Sequence, residues 1–203
     1  MNQYSQTGQF QQYSNIQPVW KFIFLYIITI GIYQLPWGHK HWKLVKEREG
    51  LKINTWLRSW FLPFTLFGLA KRIFALAEDK GYREKPSPAV ITSLFWFFVV
   101  LRLPNTIGLL FLFVLLPNTI GLLFLFVLPP NPIGLPALLV NFFPLLAVLK
   151  AANFYWEKEQ PNLPLRKSWT GGEIAWIIFG GIFWVFLLIY LSAYPDPRLG
   201  IIQ

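Results

Sequence analysis

Long runs of apolar residues alternate with short basic segments along this chain of 203 residues. A bilayer core of about 30 Å needs about 20 apolar residues in a helix, and a helix satisfies its own backbone hydrogen bonds in lipid. On that measure the pattern predicts four transmembrane helices, at about 19–37, 89–110, 130–149 and 174–194. The predicted fold class is therefore all-α, a polytopic integral membrane protein whose helical membrane domain covers residues 19–194.

The last predicted span has the clearest boundaries. Thr170 and Glu173 have the T-x-x-E spacing of a capping box, which marks the start of a helix. Residues 174–194 then form a run of 21 uncharged, mostly apolar residues. Within that run Gly180 and Gly181 have no side chains, so we expect another helix to pack closely there.

A basic segment at 38–58 follows the first apolar run. Its lysines and arginines alternate with tryptophans and aliphatic residues, which is typical of a helix that lies in the plane of the lipid headgroups. Gly50 is expected to end the first half of this helix.

The next apolar stretch, 59–70, is too short to cross a bilayer at 1.5 Å per residue, and Pro63 interrupts it. We therefore predict that residues 56–77 are interfacial or re-entrant, with 69–80 as an amphipathic surface helix. The alternative is a fifth span, lengthened by lysine and arginine side chains that reach out to the headgroups.

The sequence LPNTIGLLFLFVL occurs at 103–115 and again, without a change, at 116–128. Structural repeats are usually longer and diverge between copies, so this tandem repeat 103–128 indicates a recent duplication. Thirteen residues also leave the two copies about 220° out of phase on a helix. The second copy is therefore expected to carry no site of its own.

Lysine and arginine are concentrated at 38–58, 71–88 and 150–173. By the positive-inside rule these segments face the cytoplasm, and the count of four spans then places both termini on the opposite side. Residues 1–18 carry no charge and few aliphatic residues, which predicts a disordered polar tail. Residues 195–203 form a short tail at the other end.

Composition agrees with a membrane location. Apolar residues make up 55% of the chain, and charged residues make up 13%, against about a quarter in a soluble domain. The net charge of +9 lies beside apolar runs, which favours anionic lipid headgroups or another membrane protein as partner over nucleic acid. The candidate lipid- or partner-binding residues are Lys40, Lys43, Lys46, Lys52, Lys71, Arg72, Trp42, Trp56 and Trp60.

All nine acidic residues and both histidines lie in tails, loops, surface helices or helix ends. The chain has no cysteine, which excludes thiolate metal sites and a cysteine nucleophile. His39 and His41 could bind a metal together with Glu47 or Glu49. Residues two apart point away from each other on a helix, so we expect both imidazoles to face headgroups instead. The sequence therefore predicts no enzyme, no metal site and no cofactor.

The most distinctive local patterns of the chain lie in the segments GIYQLPWGHKHWKLVKEREGLKINTWLRSWF, LFGLAKRIFALAEDKGY and FFPLLAVLKAANFYWEKEQ. Within them, the main features lie at Gly31–Tyr33, Trp42–Glu47, Lys71–Ile73 and Pro144–Lys150. By these features the chain resembles a family of small, uncharacterised bacterial multi-pass membrane proteins. The resemblance covers most of residues 20–193 outside the repeat, and it implies a multi-pass protein of the bacterial cell (inner) membrane without a known activity.

Three functions of different classes stay open at this point. A structural or interaction protein with a basic cytoplasmic face is favoured, because that face is the strongest feature of the sequence. A membrane-interface enzyme would need both histidines and a carboxylate in one coordination shell. A small transporter or channel subunit would need an uncharged polar lining. The residues available for such a lining are Thr29, Thr65, Thr92, Ser93 and Asn141.

Overall fold

The computed structural model describes residues 13–84, 86–100 and 139–193, apart from five side chains in the last two of these ranges. Every regular element within them is an α-helix, which confirms the predicted all-α class. The helices are α1 (Val19–Ile28), α2 (Gln34–Glu49), α3 (Thr55–Trp60), α4 (Leu62–Glu78), α5 (Pro88–Val100), α6 (Phe143–Glu159) and α7 (Gly171–Ala193). Over the described residues, none of them combines the length and the apolarity that crossing a membrane requires.

Some sequence predictions fall outside the described residues. These are the tandem repeat 103–128, the tail 195–203, residues 1–12, and the parts of the predicted spans 89–110 and 130–149 that lie next to the repeat.

The first predicted span, 19–37, is not one helix. α1 ends at Ile28, and Ile30 and Gly31 both adopt positive φ angles, 50° and 81°. The Gly31 N–H donates to the Tyr26 carbonyl at 2.7 Å, which closes the turn. The chain then reverses, so that the rings of Phe22 and Trp37 lie 5.5 Å apart. α1 and α2 therefore form a hairpin, because the glycine permits a left-handed turn that the apolar pattern does not reveal.

The predicted end of the first basic helix at Gly50 is confirmed. Gly50 is the left-handed C-cap of α2, with a φ of 63°, and its N–H donates to the Lys46 carbonyl.

The segment 56–77 contains a helix boundary where the sequence suggested an interruption. Pro63 lies in the first turn of α4, where its missing N–H leaves no hydrogen bond unmade. From there α4 continues without a break to Glu78, and it buries Leu69, Ile73 and Ala77. The predicted surface helix 69–80 is thus the second half of α4, and its apolar positions face the core.

The helices α2, α4 and α6 end at the same place. Arg48 at the end of α2 and Lys80 after α4 both contact Glu159, the last residue of α6, at 3.2 and 2.5 Å. Arg72 of α4 also pairs with Glu49 of α2. The two cations hold the pKa of the Glu159 carboxyl below its usual range. We call this part of the molecule the charged end.

The described part of the N-terminal tail, 13–18, also lies at the charged end. The Ser14 N–H donates to the Pro164 carbonyl at 3.0 Å, and Lys40 Nζ donates to the Asn15 carbonyl at 2.9 Å. This differs from the predicted disordered tail through residue 18 and from its predicted place opposite the basic segments. The physical reason is that the tail's backbone and amide groups find partners in the loop after α6.

The start of α7 confirms the predicted capping box. The Glu173 N–H donates to Thr170 Oγ1 at 3.1 Å, and the Thr170 N–H donates to Glu173 Oε2 at 2.7 Å. Further along α7, Gly180 lies directly against the Ile28 carbonyl at the end of α1. The predicted close approach is therefore confirmed for Gly180, while Gly181 faces open space.

Large apolar side chains are exposed on several of the helices. The core between the helices is apolar as well, and it includes fully buried Leu25, Leu66 and Leu145. Examples of exposed residues on the outer surface are Trp20, Phe24, Phe64, Phe97, Ile178, Phe186 and Leu188. α7 exposes more of these side chains than any other helix, and it carries no charged residue after Glu173.

Candidate functional site

The predicted cationic residues divide into three that are exposed without an ion pair and three that are engaged. Lys43 pairs with Glu47 at 3.8 Å, Arg72 pairs with Glu49, and Lys40 donates to the tail. The exposed ones are Lys46, Lys52 and Lys71, for which no ion pair forms within the described ranges. These three are therefore the cations most available to an external anion.

The three predicted tryptophans occupy different environments. Trp42 is fully buried, and the guanidinium of Arg58 lies 4.5 Å from its ring centroid. The prediction that Trp42 contacts headgroups is therefore wrong, because the ring packs in the core between α2 and α4. Trp56 and Trp60 are exposed, to 49% and 67%. They can contact lipid or a partner.

The two histidines do not converge. His41 is buried, its Nδ1–H donates to the Trp37 carbonyl at 2.8 Å, and burial lowers its pKa to about 3. His39 stacks on Trp56 with 4.2 Å between ring centroids and hydrogen-bonds Thr55. The expectation that both imidazoles face headgroups is wrong for His41. No group of three metal-ligating side chains forms in the part of the chain that the structure describes.

Three of the polar residues considered for a transport path use their hydroxyls within the bundle. Thr29 donates to the Leu25 carbonyl, Thr92 to Pro88 and Thr65 to Arg58, all at 2.7–2.8 Å. Such bonds are ordinary ways for a threonine in a helix to satisfy its hydroxyl.

Lys21 is a buried cation that joins α1 to the start of α7. Its side chain is 2% exposed, and Nζ donates to the Ser168 carbonyl at 2.7 Å. Nζ also lies 3.8 Å from Glu173 and 4.8 Å from the centre of the Trp169 ring. Lys21 was not among the residues singled out from the sequence. The signal that it does more is its position beside Trp20, ahead of 18 residues without a charge.

A cavity of about 430 Å³ lies beside Lys21. Its walls are the tail residues 13–18, the first turns of α1 and α7, the start of α2, and Arg166 in the loop before α7. We call it the tail cavity. Lys40 and Arg166 add positive charge to it, and Glu173 is the acid among the lining residues. Since Lys21 neutralises that acid, the cavity is net positive.

Two buried polar groups of the tail cavity have unused hydrogen-bonding capacity. Gln17 is 5% exposed, and its Nε2 donates to Tyr33 Oη at 2.9 Å. The other amide atom, Gln17 Oε1, has no partner among the described residues. Tyr33 is 8% exposed, and its hydroxyl accepts from Gln17 while its own hydrogen is given to no described residue. Buried polar groups are usually paired, so these two indicate a place for a ligand or water.

The tail is fixed firmly enough to form this wall. The Gln17 N–H donates to Asn153 Oδ1 at 3.0 Å, and Asn153 Nδ2 donates back to the Gln17 carbonyl at 2.7 Å. Sequence reasoning missed Gln17 and Asn153, because a glutamine in a polar tail carries no signal of a long-range contact.

No known protein family, curated protein or solved structure matches this chain.

Proposed function

We propose that this chain is a multi-pass integral protein of a bacterial cell membrane, and that its charged end binds anionic lipid headgroups from the cytoplasmic side. Its role in this proposal is structural or interactive, through lipid or a partner membrane protein, rather than enzymatic. The observation that carries the proposal is the exposed apolar face of α7, a helix that carries no charged residue after Glu173.

The apolar surface supports a place in lipid. Soluble monomers rarely expose large contiguous apolar patches, yet α7 alone exposes Ile178, Ile182, Val185, Phe186, Leu188 and Ile189 by more than half. These residues belong to the uncharged run 174–194. The exposed Trp20 packs edge-to-face on Trp169 with 5.4 Å between centroids, a pairing suited to the headgroup boundary.

The hairpin α1–α2 changes the proposed topology. Residues 13–18 and the ends of α2, α4 and α6 lie at the charged end, so the chain turns back after α1 instead of crossing as the span 19–37. By the positive-inside rule, the charged end faces the cytoplasm.

The proposed lipid preference depends mainly on Lys46, Lys52 and Lys71. Each exposed basic residue near an anionic surface contributes about 1 kcal/mol, less the effect of salt. Replacing all three with Gln should lower the ratio of phosphatidylglycerol to phosphatidylcholine retained by the protein roughly tenfold. Native mass spectrometry of the protein, purified in mild detergent and mixed with both lipids, measures this ratio.

The matched control replaces Lys150, Lys158 and Lys167 with Gln, which removes the same charge from exposed positions other than the three lysines proposed to bind lipid. We expect it to change the ratio much less, and we expect the wild-type ratio to fall as salt is raised. An unchanged ratio and salt dependence in the first variant would show that these lysines do not bind lipid.

A further inference from the structure

The tail cavity combines positive charge with buried groups that lack partners. Lys40 Nζ uses one of its three N–H groups on Asn15, and the Arg166 guanidinium lies over the Tyr13 ring at 4.6 Å. Both cations keep donors for an anion, and both line the cavity. Because Glu173 is occupied by Lys21 and by its capping bond, it does not cancel their charge.

The start of α7 adds to this positive potential. Gly172 lines the cavity in the first turn of a 23-residue helix, where backbone N–H groups lack helical partners and the helix dipole favours a negative group. This contribution comes from backbone groups, separate from the side chains of the buried Gln17 and Tyr33.

The Tyr33 hydroxyl and Gln17 Oε1 indicate which hydrogen-bonding groups a ligand of this cavity carries. The Tyr33 hydroxyl has a hydrogen to donate, which an anionic oxygen can accept. Gln17 Oε1 can only accept, so the ligand must also carry a donor close to its anionic oxygen. A phosphate bonded to a hydroxyl- or ammonium-bearing group has both of these features.

We propose that the tail cavity binds a phosphate that carries a neighbouring hydrogen-bond donor, as in glycerophosphate or phosphoethanolamine headgroups. Lys40, Arg166 and the Tyr33 hydroxyl hold the phosphate, and Gln17 Oε1 accepts from the hydroxyl or ammonium. The volume of about 430 Å³ accommodates such a group but not its acyl chains. That the phosphate is borne by a lipid rests on the proposed function, because Trp20 and Trp169 place the cavity beside the headgroup boundary.

The test compares two double variants of the full chain with identical changes in composition. Lys40→Gln with Arg166→Gln removes the cavity cations, while Lys167→Gln with Arg83→Gln removes one exposed lysine and one exposed arginine outside it. After delipidation, phosphatidylglycerol and phosphatidylethanolamine are titrated in native mass spectrometry, and sn-glycerol 1-phosphate is titrated in parallel. Circular dichroism on heating checks that each variant is folded.

We expect one phospholipid per wild-type chain to survive delipidation, and we expect binding to weaken about tenfold or more in the cavity variant. The control double variant should bind as the wild type does. Tyr33→Phe keeps the ring and removes only the hydroxyl, and it should weaken phospholipid binding several-fold. If Tyr33 served only to pack its ring, this variant would bind phospholipid as the wild type does.

The parallel titrations with phospholipid and with glycerol phosphate identify the source of the phosphate. Tight binding of phospholipid with little binding of glycerol phosphate supports a lipid headgroup, and equal binding of both supports a soluble phosphate compound at the same site. The proposal is overturned if neither compound binds, or if the cavity variant binds like its control. The outcome for the proposed function is separate, because the salt-dependent phosphatidylglycerol preference depends on Lys46, Lys52 and Lys71, which lie outside the cavity.

Discussion

Gly180→Ala should lower the free energy of unfolding by about 1–3 kcal/mol, because the added Cβ overlaps the Ile28 carbonyl. The obstacle is backbone, which cannot rotate away as a side chain could, so α1 and α7 must separate. Denaturant titration of the purified protein in mild detergent, followed by circular dichroism, measures the change.

Gly181→Ala is the matched control, one residue along the same helix. No atom lies within 4 Å of a Cβ at that position, so only the helix preference of alanine remains. Alanine is favoured over glycine in a helix by about 0.5–1 kcal/mol, and this variant should be slightly more stable than the wild type. Equal effects of the two substitutions would contradict the contact between α7 and the end of α1.

As pH falls, the free energy of unfolding should begin to decrease at a higher pH than the carboxylates alone explain, because His41 is buried in its neutral form. Its pKa is about 3 in the folded chain, against an ordinary value of 6.5. A lowered pKa means that the stabilisation is complete above the unfolded-state value and is lost as pH falls toward the folded one. Roughly 3–5 kcal/mol should therefore disappear between pH 6.5 and pH 3.

His41→Gln should flatten this dependence between pH 6.5 and 5, leaving the loss below about pH 4.5 that comes from carboxylates such as Glu159, whose pKa is also lowered. His39→Gln is the control, since His39 is partly exposed on Trp56 and should leave most of the pH dependence intact. Equal unfolding free energies of the wild type at pH 7 and pH 5 would contradict the burial of a neutral His41.

Local sequence signals predicted local structure well. The T-x-x-E spacing predicted the reciprocal hydrogen bonds between Thr170 and Glu173, and Gly50 was correctly expected to end a helix. In both cases the signal and the structure involve residues within one turn. The helical class also followed from the apolar runs, because a helix satisfies the backbone hydrogen bonds of a long apolar segment within that segment.

Features that depend on distant contacts were not predictable in the same way. The turn at Ile30 and Gly31 breaks the helix within a continuous apolar run of the sequence. Hydropathy could not predict this turn, because a run of this kind has the same hydropathy in a hairpin and in a membrane span. The tail's position depends on contacts between Gln17 and Asn153, 136 residues apart. The tail cavity was missed for the same reason, since its walls come from three separated segments.

The central claim is that the apolar surface lies in lipid and that the N-terminal tail shares one side with the charged end. The chain has no cysteine, so single cysteines can be introduced into the wild-type sequence without a background. Asn15→Cys and Lys167→Cys place a thiol at exposed positions of the tail and the charged end. Ile178→Cys and Phe186→Cys place one on the exposed face of α7.

The decisive measurement is labelling of these thiols by a membrane-impermeant maleimide in oriented membrane vesicles. We predict that Asn15→Cys and Lys167→Cys react from the cytoplasmic side alone, and that Ile178→Cys and Phe186→Cys react only after the membrane is dissolved and the protein unfolded. Labelling of positions 15 and 167 from opposite sides would contradict the shared end. Labelling of positions 178 and 186 in intact vesicles as fast as position 15 would contradict the place of α7 in lipid.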